Sequence, residues 1–488
     1  MKKILAIFTL IVLSAPFSAL RSQDAVFKLM RYEWTLNADG TSDYHYRHEV
    51  QILRNRALVA YADKGETFVV YNPDLETLTV NEVYTIQKDG TRVDMPQNAF
   101  IYQLPSNCTD CGRFNHLREL AMVHTGMELG CTIVVDYTIH RQYNMLRESI
   151  ALQRDCPIEK MEIVVNNNSD VEVNYDVVGK DYITFAADKV AKGNTTTFTY
   201  TNVPQAPREP YMPADIVPTL RIFNSAPQFS PAFDQEGFTG ARDVMGQVMN
   251  SRGMENIVNA RNYIVDNIHL NDIAPSHLGY THATAEEVWR TGCGTATDKA
   301  VLLAAILNGE GYRAAVAGEN ADEISVWVDT LEYRLSVRNK GPMSLYGKAI
   351  DEVKSVRQNG TFDAVLDTLE DGFYSFPIPV VATEGVVHAS RLTTVRTTPL
   401  QATACDVSSD VTFRLPKGLK MVGKAFSRKL SYPGLGSVQV SVKQSGSKLR
   451  VVRSLKVEKS IIPVADYANY RQLIATWQSP DHVLLRSK

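Results

Sequence analysis

The chain has 488 residues and a formal net charge of −3, with 44% hydrophobic and 22% charged residues. Nucleic acids and anionic membrane surfaces select proteins with basic patches, so this charge argues against both as partners. The length predicts about two to four domains, and the apolar content is sufficient for their cores.

The N-terminus has the order of a secretory signal peptide. Lys2 and Lys3 precede an apolar run that ends in small residues near Ala19. We therefore predict that residues 1–23 are removed and that the mature chain is exported to the periplasm or the cell exterior. A transmembrane anchor is the alternative, but Ser14 and Pro16 interrupt a run already short for a bilayer. No later stretch approaches the roughly 20 apolar residues of a span, so an integral membrane protein is not predicted.

Residues 24–203 alternate between short apolar runs and turn residues, without a helical period. The dipeptides Asp39-Gly40 and Asp89-Gly90 each separate two such runs. Dipeptides of this type indicate tight hairpins. The pattern predicts an antiparallel β-sandwich for this part of the chain.

Residues 204–238 are rich in proline: seven of the chain's 21 prolines fall between Pro204 and Pro231. Such a segment is extended and cannot be helical. We predict a linker that lies along a domain surface, because Leu220, Ile222 and Phe223 need cover.

Residues 239–345 place helices first and strands afterwards. Residues 255–270 have an amphipathic period, and Thr284 with Glu287 indicates the capped start of a short helix. After the helix described next, strands are predicted at 313–317, 323–328 and 333–337. Helices followed by antiparallel strands indicate an α+β domain.

The most informative stretch is a predicted helix that is apolar on every side. Ala300 to Leu307 are eight consecutive apolar residues, and Thr295 with Asp298 forms a capping-box pattern before them. A helix without a polar face is buried all round, and Gly309 indicates its end. The positive N-terminus of such a helix favours ionisation of a thiol in the first turn.

The segment GTATDKAVLLAAIL resembles the core motif of transglutaminase-like proteins, Gly-Asp-Cys-x-Asp-Lys-Ala followed by the same apolar helix. The resemblance implies a papain-like α+β core whose nucleophile position is Ala296 and whose catalytic His position is Glu323. The Asp that orients that His has no match in LEYRLSVRN. The resemblance thus implies a core that lacks all three catalytic groups, with no cofactor and no metal.

The flanking regions resemble the other two parts of the same exported bacterial family. LREL, MELGCTIVVDYTI and the segment at Pro157 are similar to its N-terminal β-domain of unknown function. After a connector at 346–375, with a possible helix at 345–357, residues 376–488 are similar to its C-terminal β-domain. A terminal helix is predicted at 465–477.

Two groups of cysteines could carry chemistry. Cys293, with His282 as a base, could be a displaced nucleophile, but a plain loop thiol or a disulfide partner is favoured because it precedes the first helical turn. Cys108 and Cys111, with His116 and His124 beyond them, suggest zinc only loosely, since the His spacing is too wide. A local or longer-range disulfide is the preferred interpretation in an exported protein.

The remaining polar and aromatic candidates have structural interpretations. Asp298 is predicted to be a helix-capping carboxylate and Lys299 a surface amine. A carboxylate pair of Asp298 and Glu323 would be hydrolytic only if the fold brought them together. Trp289 and Trp327 could line a groove, although packing in the core is favoured.

These observations predict an exported multidomain protein with a β-sandwich, a degenerate transglutaminase-like α+β core and a C-terminal β-domain. The predicted role is non-catalytic binding or scaffolding in the cell envelope, with an envelope protein, a peptide or a glycan as partner. The alternatives are a thiol peptidase or acyltransferase that uses Cys293, and a purely structural part of an envelope assembly. Fold alone does not assign any of these functions.

Overall fold

The computed structural model describes residues 23–63, 67–108, 110–213, 215–224, 237–318, 324–340, 342–343, 354–380, 386, 388–423 and 425–487. The predicted signal peptide, 1–23, lies outside these residues except for Gln23. The described chain is mostly β-structure and forms several sheets around separate cores. Among its helices, none combines the length and the apolarity that crossing a bilayer requires.

The N-terminal unit contains most of the strands that the alternating sequence predicts. Its elements are β1 (Ala25–Leu36), β2 (Ser42–Ile52), α1 (Asn55–Asp63), β3 (Phe68–Tyr71), β4 (Glu76–Ile86), β5 (Arg92–Asp94), β6 (Phe100–Gln103), β7 (Arg118–Met122), β8 (Thr132–Arg141), β9 (Arg147–Ala151), β10 (Ile158–Asn167), β11 (Asn174–Val178), β12 (Ala187–Lys192), β13 (Thr195–Val203) and β14 (Thr219–Phe223). Both predicted hairpins form, between β1 and β2 and between β4 and β5. Gly40 and Gly90 adopt φ values of 88° and 89° in the turns, which residues with a Cβ rarely adopt.

The strands of the N-terminal unit form one large and two small sheets. The eight-stranded sheet has the order β12-β13-β10-β1-β2-β8-β4-β5, and the three-stranded sheets are β11-β14-β9 and β3-β7-β6. One buried apolar cluster takes residues from all three sheets, as in a sandwich. Two features differ from the prediction: α1 is helical, and β1 pairs with β10 in parallel. Local patterns do not report the direction in which distant strands pair.

The predicted linker contributes a strand to this unit. β14 lies inside 204–238 and pairs with both β9 and β11. Leu220 and Ile222, which were expected to need cover, are fully buried there. The proline-rich composition of the segment concealed a short strand between prolines.

The middle unit contains the helices of the predicted α+β core. Its elements are α2 (Arg242–Val248), α3 (Met254–Asn267), β15 (His269–Leu270), α4 (Ala285–Thr291), β16 (Cys293–Gly294), α5 (Ala296–Gly309), β17 (Ala314–Ala317), β18 (Ser325–Val328), β19 (Arg334–Ser336) and β20 (Pro342–Met343). The strands β17 to β20 pair in sequence order as one antiparallel sheet. As the apolar run predicts, α5 is buried on all sides, and it packs between this sheet and the helices.

The C-terminal unit is a second β-structure with one helix. Its elements are β21 (Lys354–Asp363), β22 (Asp367–Thr368), β23 (Phe373–Pro377), β24 (Leu400–Gln401), β25 (Cys405–Arg414), β26 (Leu419–Met421), β27 (Phe426–Tyr432), β28 (Gly436–Ser445), β29 (Lys448–Val457), β30 (Ile461–Ile462), α6 (Tyr467–Trp477) and β31 (His482–Ser487). The main sheets are β21-β25-β29-β28-β27 and β22-β23-β31-β26.

Two predictions for this unit have different outcomes. The terminal helix forms, and α6 buries its apolar face, including Tyr470 and Trp477, in one of the two cores of the unit. The possible helix at 345–357 is wrong at its end, because β21 begins at Lys354 within the predicted connector. The rest of that predicted helix lies outside the described residues.

A polar interface joins the segment before β14 to the C-terminal unit. The carboxylate of Glu209 accepts hydrogen bonds from the backbone N–H groups of Thr397 and Thr398, each at 2.9 Å. The guanidinium of Arg396, only 1% exposed, donates to the carbonyl of Pro210 at 2.6 Å and lies 3.7 Å from Glu209. We call these contacts the Glu209 interface.

Candidate functional site

The candidate site is the N-terminal end of α5, where the sequence places the nucleophile position. Thr295 is the N-cap, and its hydroxyl accepts a hydrogen bond from the backbone N–H of Asp298 at 3.2 Å. The Asp298 carboxylate in turn accepts from the backbone N–H of Thr295 at 2.8 Å. The predicted capping box is therefore confirmed.

Asp298 does more than cap its own helix. It is fully buried, and its second oxygen accepts a hydrogen bond from the backbone N–H of Ala283 at 2.7 Å. A side chain at Gly294 would approach the Cβ of Asp298 to 2.7 Å, so this close packing requires glycine. The loop before α4 and the loop before α5 are thus held together by one carboxylate.

The charge of Asp298 is balanced from the N-terminal unit. Nη1 of Arg113 donates to an Asp298 oxygen at 2.7 Å, and Nε of the same guanidinium lies 3.5 Å from Glu287 on α4. A buried carboxylate requires such a partner, because an isolated charge in an apolar surrounding is costly. No motif in the sequence pointed to Arg113, which lies 185 residues from Asp298.

A disulfide lies beside this ion pair. Cys111 and Cys293 are bonded across 182 residues, with their Cα atoms 6.0 Å apart. The two sulfurs belong to a small buried cluster with Phe114, Leu117 and Leu278. Cys293 consequently carries no thiol in this state, in agreement with the disulfide interpretation.

Further polar contacts extend the same interface. The Asn107 amide donates to the carbonyl of Asp272 at 2.7 Å, and the Asn271 amide donates back to the carbonyl of Asn107 at 2.9 Å. Tyr143 donates its hydroxyl hydrogen to the carbonyl of Ser276. We use the name disulfide interface for the contacts of Cys111 and Arg113 with the middle unit, together with these neighbours.

A buried carboxylate also marks the far edge of this interface. Glu76 of the N-terminal unit lies 3.1 Å from Arg141 and 3.5 Å from Nδ1 of His277, which belongs to the middle unit. Burial by itself would raise the pKa of Glu76, but the hydrogen bond and charge of His277, with the charge of Arg141, hold it below its usual value. The carboxylate is thus kept ionised between the two units.

The predicted nucleophile position holds a buried methyl group. Ala296 is the first residue of α5, 4% exposed, and belongs to the apolar core of the middle unit. Glu323, at the predicted His position, lies outside the described residues, so its distance from Asp298 is not defined. His282 is exposed, and its Nδ1 lies 3.1 Å from the backbone carbonyl of Ala283.

Lys299 is not the surface amine that the sequence predicted. It is 1% exposed, and its ammonium donates to the carbonyl of Ile268 at 2.8 Å, beyond the last turn of α3. Burial lowers its pKa to about 8. The negative C-terminal end of a helix is a favourable place for such a cation, which explains how the chain tolerates it in the core.

The other candidates have structural roles. Cys108 is a buried free thiol whose pKa is raised by burial, and Cys111 is in the disulfide. Among the described residues, no three His, Cys, Asp or Glu side chains are placed to hold a metal ion. Trp289 packs against Tyr263 with a ring separation of 6.0 Å, as expected for the core.

Two family models match the chain. The domain of unknown function DUF3857 matches residues 38–207, and the domain of unknown function DUF3858 matches residues 373–485. No curated protein matches the chain.

The solved structures include one with the same overall fold. A crystal structure of a candidate protease from Parabacteroides distasonis is 23% identical with a TM-score of 0.73, and the match covers 95% of this chain and 99% of that one. An M1 zinc metallopeptidase from Deinococcus radiodurans is 8% identical with a TM-score of 0.19, over 50% of this chain and 53% of that one. Only the first similarity carries an argument, and it concerns the fold.

Proposed function

This chain belongs to a multidomain bacterial family that contains the domains of unknown function DUF3857 and DUF3858, and we propose that its middle unit is a transglutaminase-like core without catalytic activity. The observation that carries the proposal is the Cys111–Cys293 disulfide. It occupies the only cysteine of residues 239–345, three residues before the nucleophile position. Acyl transfer needs an activated nucleophile, and Ala296 supplies none.

The covering of the helix terminus supports the same proposal. In a thiol enzyme, the N-terminus of the central helix faces the substrate, and its dipole stabilises the thiolate. Here Arg113 and Cys111 of the N-terminal unit lie against this end of α5, and Ala296 is buried. The end of the helix serves as a docking point between two units of the chain.

We infer from this that the protein is an exported binding or scaffolding component of the cell envelope. Its partner would be an envelope protein, a peptide or a glycan. A disulfide between two units suits an oxidising compartment, where such bonds persist. The basic, apolar and small-residue order of 1–23 favours the same location. Sequencing of the N-terminus of the native protein should give a start near Gln23; a start before Ser18 contradicts export by signal cleavage.

A thiol peptidase or acyltransferase that uses Cys293 is the second candidate. The candidate protease with the same fold is the observation that favours it. Such an enzyme would require reduction of the disulfide and a base such as His282 near the released thiolate. The two candidates therefore differ in what reduction should do.

The deciding experiment assays peptide hydrolysis and amine incorporation by the full chain, oxidised and reduced. We expect background rates in both states, and also in Ala296→Cys, because a thiol without an imidazole partner does not complete the cycle. Cys405→Ser, at a buried cysteine of the C-terminal unit, is the matched control. Activity in the reduced protein that is lost in Cys293→Ser and kept in Cys405→Ser would establish the enzyme instead.

A further inference from the structure

A cleft in the C-terminal unit lies far in sequence from the site described above. It has a volume of about 270 Å³ and opens at the β21 edge of the five-stranded sheet, against the segment after β23. Its apolar walls include Phe362, Phe413, Val380 and Val411. A concave site with apolar walls and a few polar groups is the usual form of a small-molecule site, and this volume suits a small ligand.

The cleft runs from an exposed rim to a polar base. Phe362 and Val380 at the rim are 48% and 46% exposed, although both are large apolar side chains. Ser409 and Arg453 also line the cleft but are 6% and 0% exposed. These two residues are direct neighbours across β25 and β29, on the buried face of the five-stranded sheet.

Arg453 is a buried cation that is only partly satisfied. Its Nη1 donates to the carbonyl of Trp477 at 2.5 Å, and its Nη2 donates to the carbonyls of Ile378 and Ser479 at 3.3 and 3.2 Å. Its Nε has no hydrogen-bond partner within the described part of the chain. A buried donor without a partner is uncommon in folded proteins and needs an explanation.

Among the described residues, no carboxylate forms an ion pair with Arg453. Asp481 acts on it electrostatically, but that carboxylate forms an ion pair with Arg428 at 2.9 Å. Burial lowers the pKa of Arg453. The carbonyls at the C-terminal end of α6 offset part of the charge, as helix ends do. Among the groups that the structure describes, a net positive charge nevertheless remains at the base of the apolar cleft.

We propose that this cleft binds a carboxylate carried on an apolar or aromatic group. The apolar body would lie between Phe362, Phe413 and Val411, and the carboxylate would accept a hydrogen bond from Nε of Arg453. Charge-assisted hydrogen bonds between guanidinium and carboxylate are among the strongest in proteins, especially away from water. An ammonium compound would be repelled by the same charge, and a small polyanion would leave the apolar walls without contact.

Free acids and peptide C-termini share this chemistry. Calorimetric titration of the full chain with 3-phenylpropionate should show saturable binding, and 3-phenylpropanol, which has the same body without charge, should bind about tenfold more weakly or worse. N-acetyl-glycyl-phenylalanine and its C-terminal amide form the second pair. Tighter binding of the peptide acid than of 3-phenylpropionate would identify a peptide C-terminus as the natural ligand, and the reverse order would identify a free acid.

Matched variants test the location of binding. Phe362→Ala removes a wall at an exposed position and should weaken the acid about fivefold or more, whereas Val365→Ala, at a residue 78% exposed and outside the cleft, should not. Arg453→Met should abolish the preference for the acid over the alcohol. Arg450→Met, on the opposite face of the same strand, should keep it.

Several outcomes would overturn the proposal. Equal affinity for acid and alcohol, absence of binding by both acids, or unchanged affinity in Phe362→Ala would each do so. Should Arg453→Met fail to fold, the comparison of acid with alcohol and the Phe362→Ala titration decide the question by themselves.

Discussion

The disulfide interface and the Glu209 interface solve the same problem by different means. Each holds a carboxylate against an arginine from another part of the chain: Asp298 with Arg113 in the first, and Glu209 with Arg396 in the second. In the first, the carboxylate is fully buried and a disulfide lies beside the pair. In the second, the arginine is buried and the carboxylate is partly exposed, without a covalent link.

The difference predicts that the disulfide interface contributes more to stability than the Glu209 interface. A buried ion pair stabilises the fold only when its polar atoms all have hydrogen-bond partners. Removal of one partner is strongly destabilising, because an unpaired charge then stays buried. The disulfide lies two residues from Arg113 and links the N-terminal unit covalently to the middle unit. The Glu209 interface depends on hydrogen bonds that water can replace. The following predictions test this ranking, from the largest expected effect to the smallest.

The largest effect is expected from Arg113→Met. Asp298 would stay buried without its cationic partner, and the free energy of unfolding should fall by about 3–5 kcal/mol. Arg118→Met, at the exposed first residue of β7, is the matched control and should change little. Denaturant melts of the oxidised full chain measure both. Equal midpoints for the two variants would show that the Asp298 pair does not hold the interface.

Loss of the disulfide should have the next largest effect. Cys111→Ser and Cys293→Ser should each lower the free energy of unfolding by about 2–4 kcal/mol, and the double variant by no more, since all three remove one cross-link. Reductant should reproduce the loss in the natural chain and have no effect on the variants. Losses that add in the double variant would mean that the cysteines act separately.

A smaller effect is expected at the second interface. Glu209→Gln removes charge-assisted hydrogen bonds to Thr397 and Thr398, so the free energy of unfolding should fall by about 1–3 kcal/mol. Glu458→Gln, at an exposed carboxylate near Lys456, is the control and should be neutral. A loss at Glu209 larger than that of Arg113→Met would reverse the ranking of the two interfaces.

The smallest effect concerns a mild change of pH. His48 is fully buried, and its ring nitrogens have no hydrogen-bond partner among the described residues. Burial lowers its pKa to about 3. Below about pH 6.5, the imidazole of His48 is protonated in the unfolded chain but stays neutral in the folded chain. The free energy of unfolding is therefore highest above this pH and decreases as the pH falls toward 3. From pH 7 to 6 the loss should be about 0.7 kcal/mol for this residue.

The matching variant separates this effect from the interfaces. His48→Phe should remove the part of the decrease in the free energy of unfolding between pH 7 and 6 that His48 causes. Burial would raise the pKa of Glu209, but the hydrogen bonds from Thr398 and Thr397 hold it below its usual value. The stability that Glu209 contributes is therefore lost only at pH values below its unfolded pKa. An unchanged pH profile in His48→Phe, measured by melts at constant ionic strength, would contradict the assignment.

Local patterns in the sequence were sufficient for several elements. The capping box of Thr295 and Asp298 and the apolar run behind it predicted α5, because both operate over a single turn or along one helix. Asp-Gly pairs predicted two hairpins for the same reason. That Ala296 occupies the nucleophile position of a transglutaminase-like core is a prediction that the resemblance alone supplies.

The tertiary structure alone decided which distant groups meet. The bond of Cys111 to Cys293 and the pair of Arg113 with Asp298 both span more than 180 residues, and no periodicity records such a contact. Lys299 was expected at the surface because most lysines are exposed. In the structure its ammonium is buried in the core and donates a hydrogen bond to the carbonyl of Ile268. The sequence determined the shape of each segment, whereas burial and charge balance between segments depend on packing that only the folded chain provides.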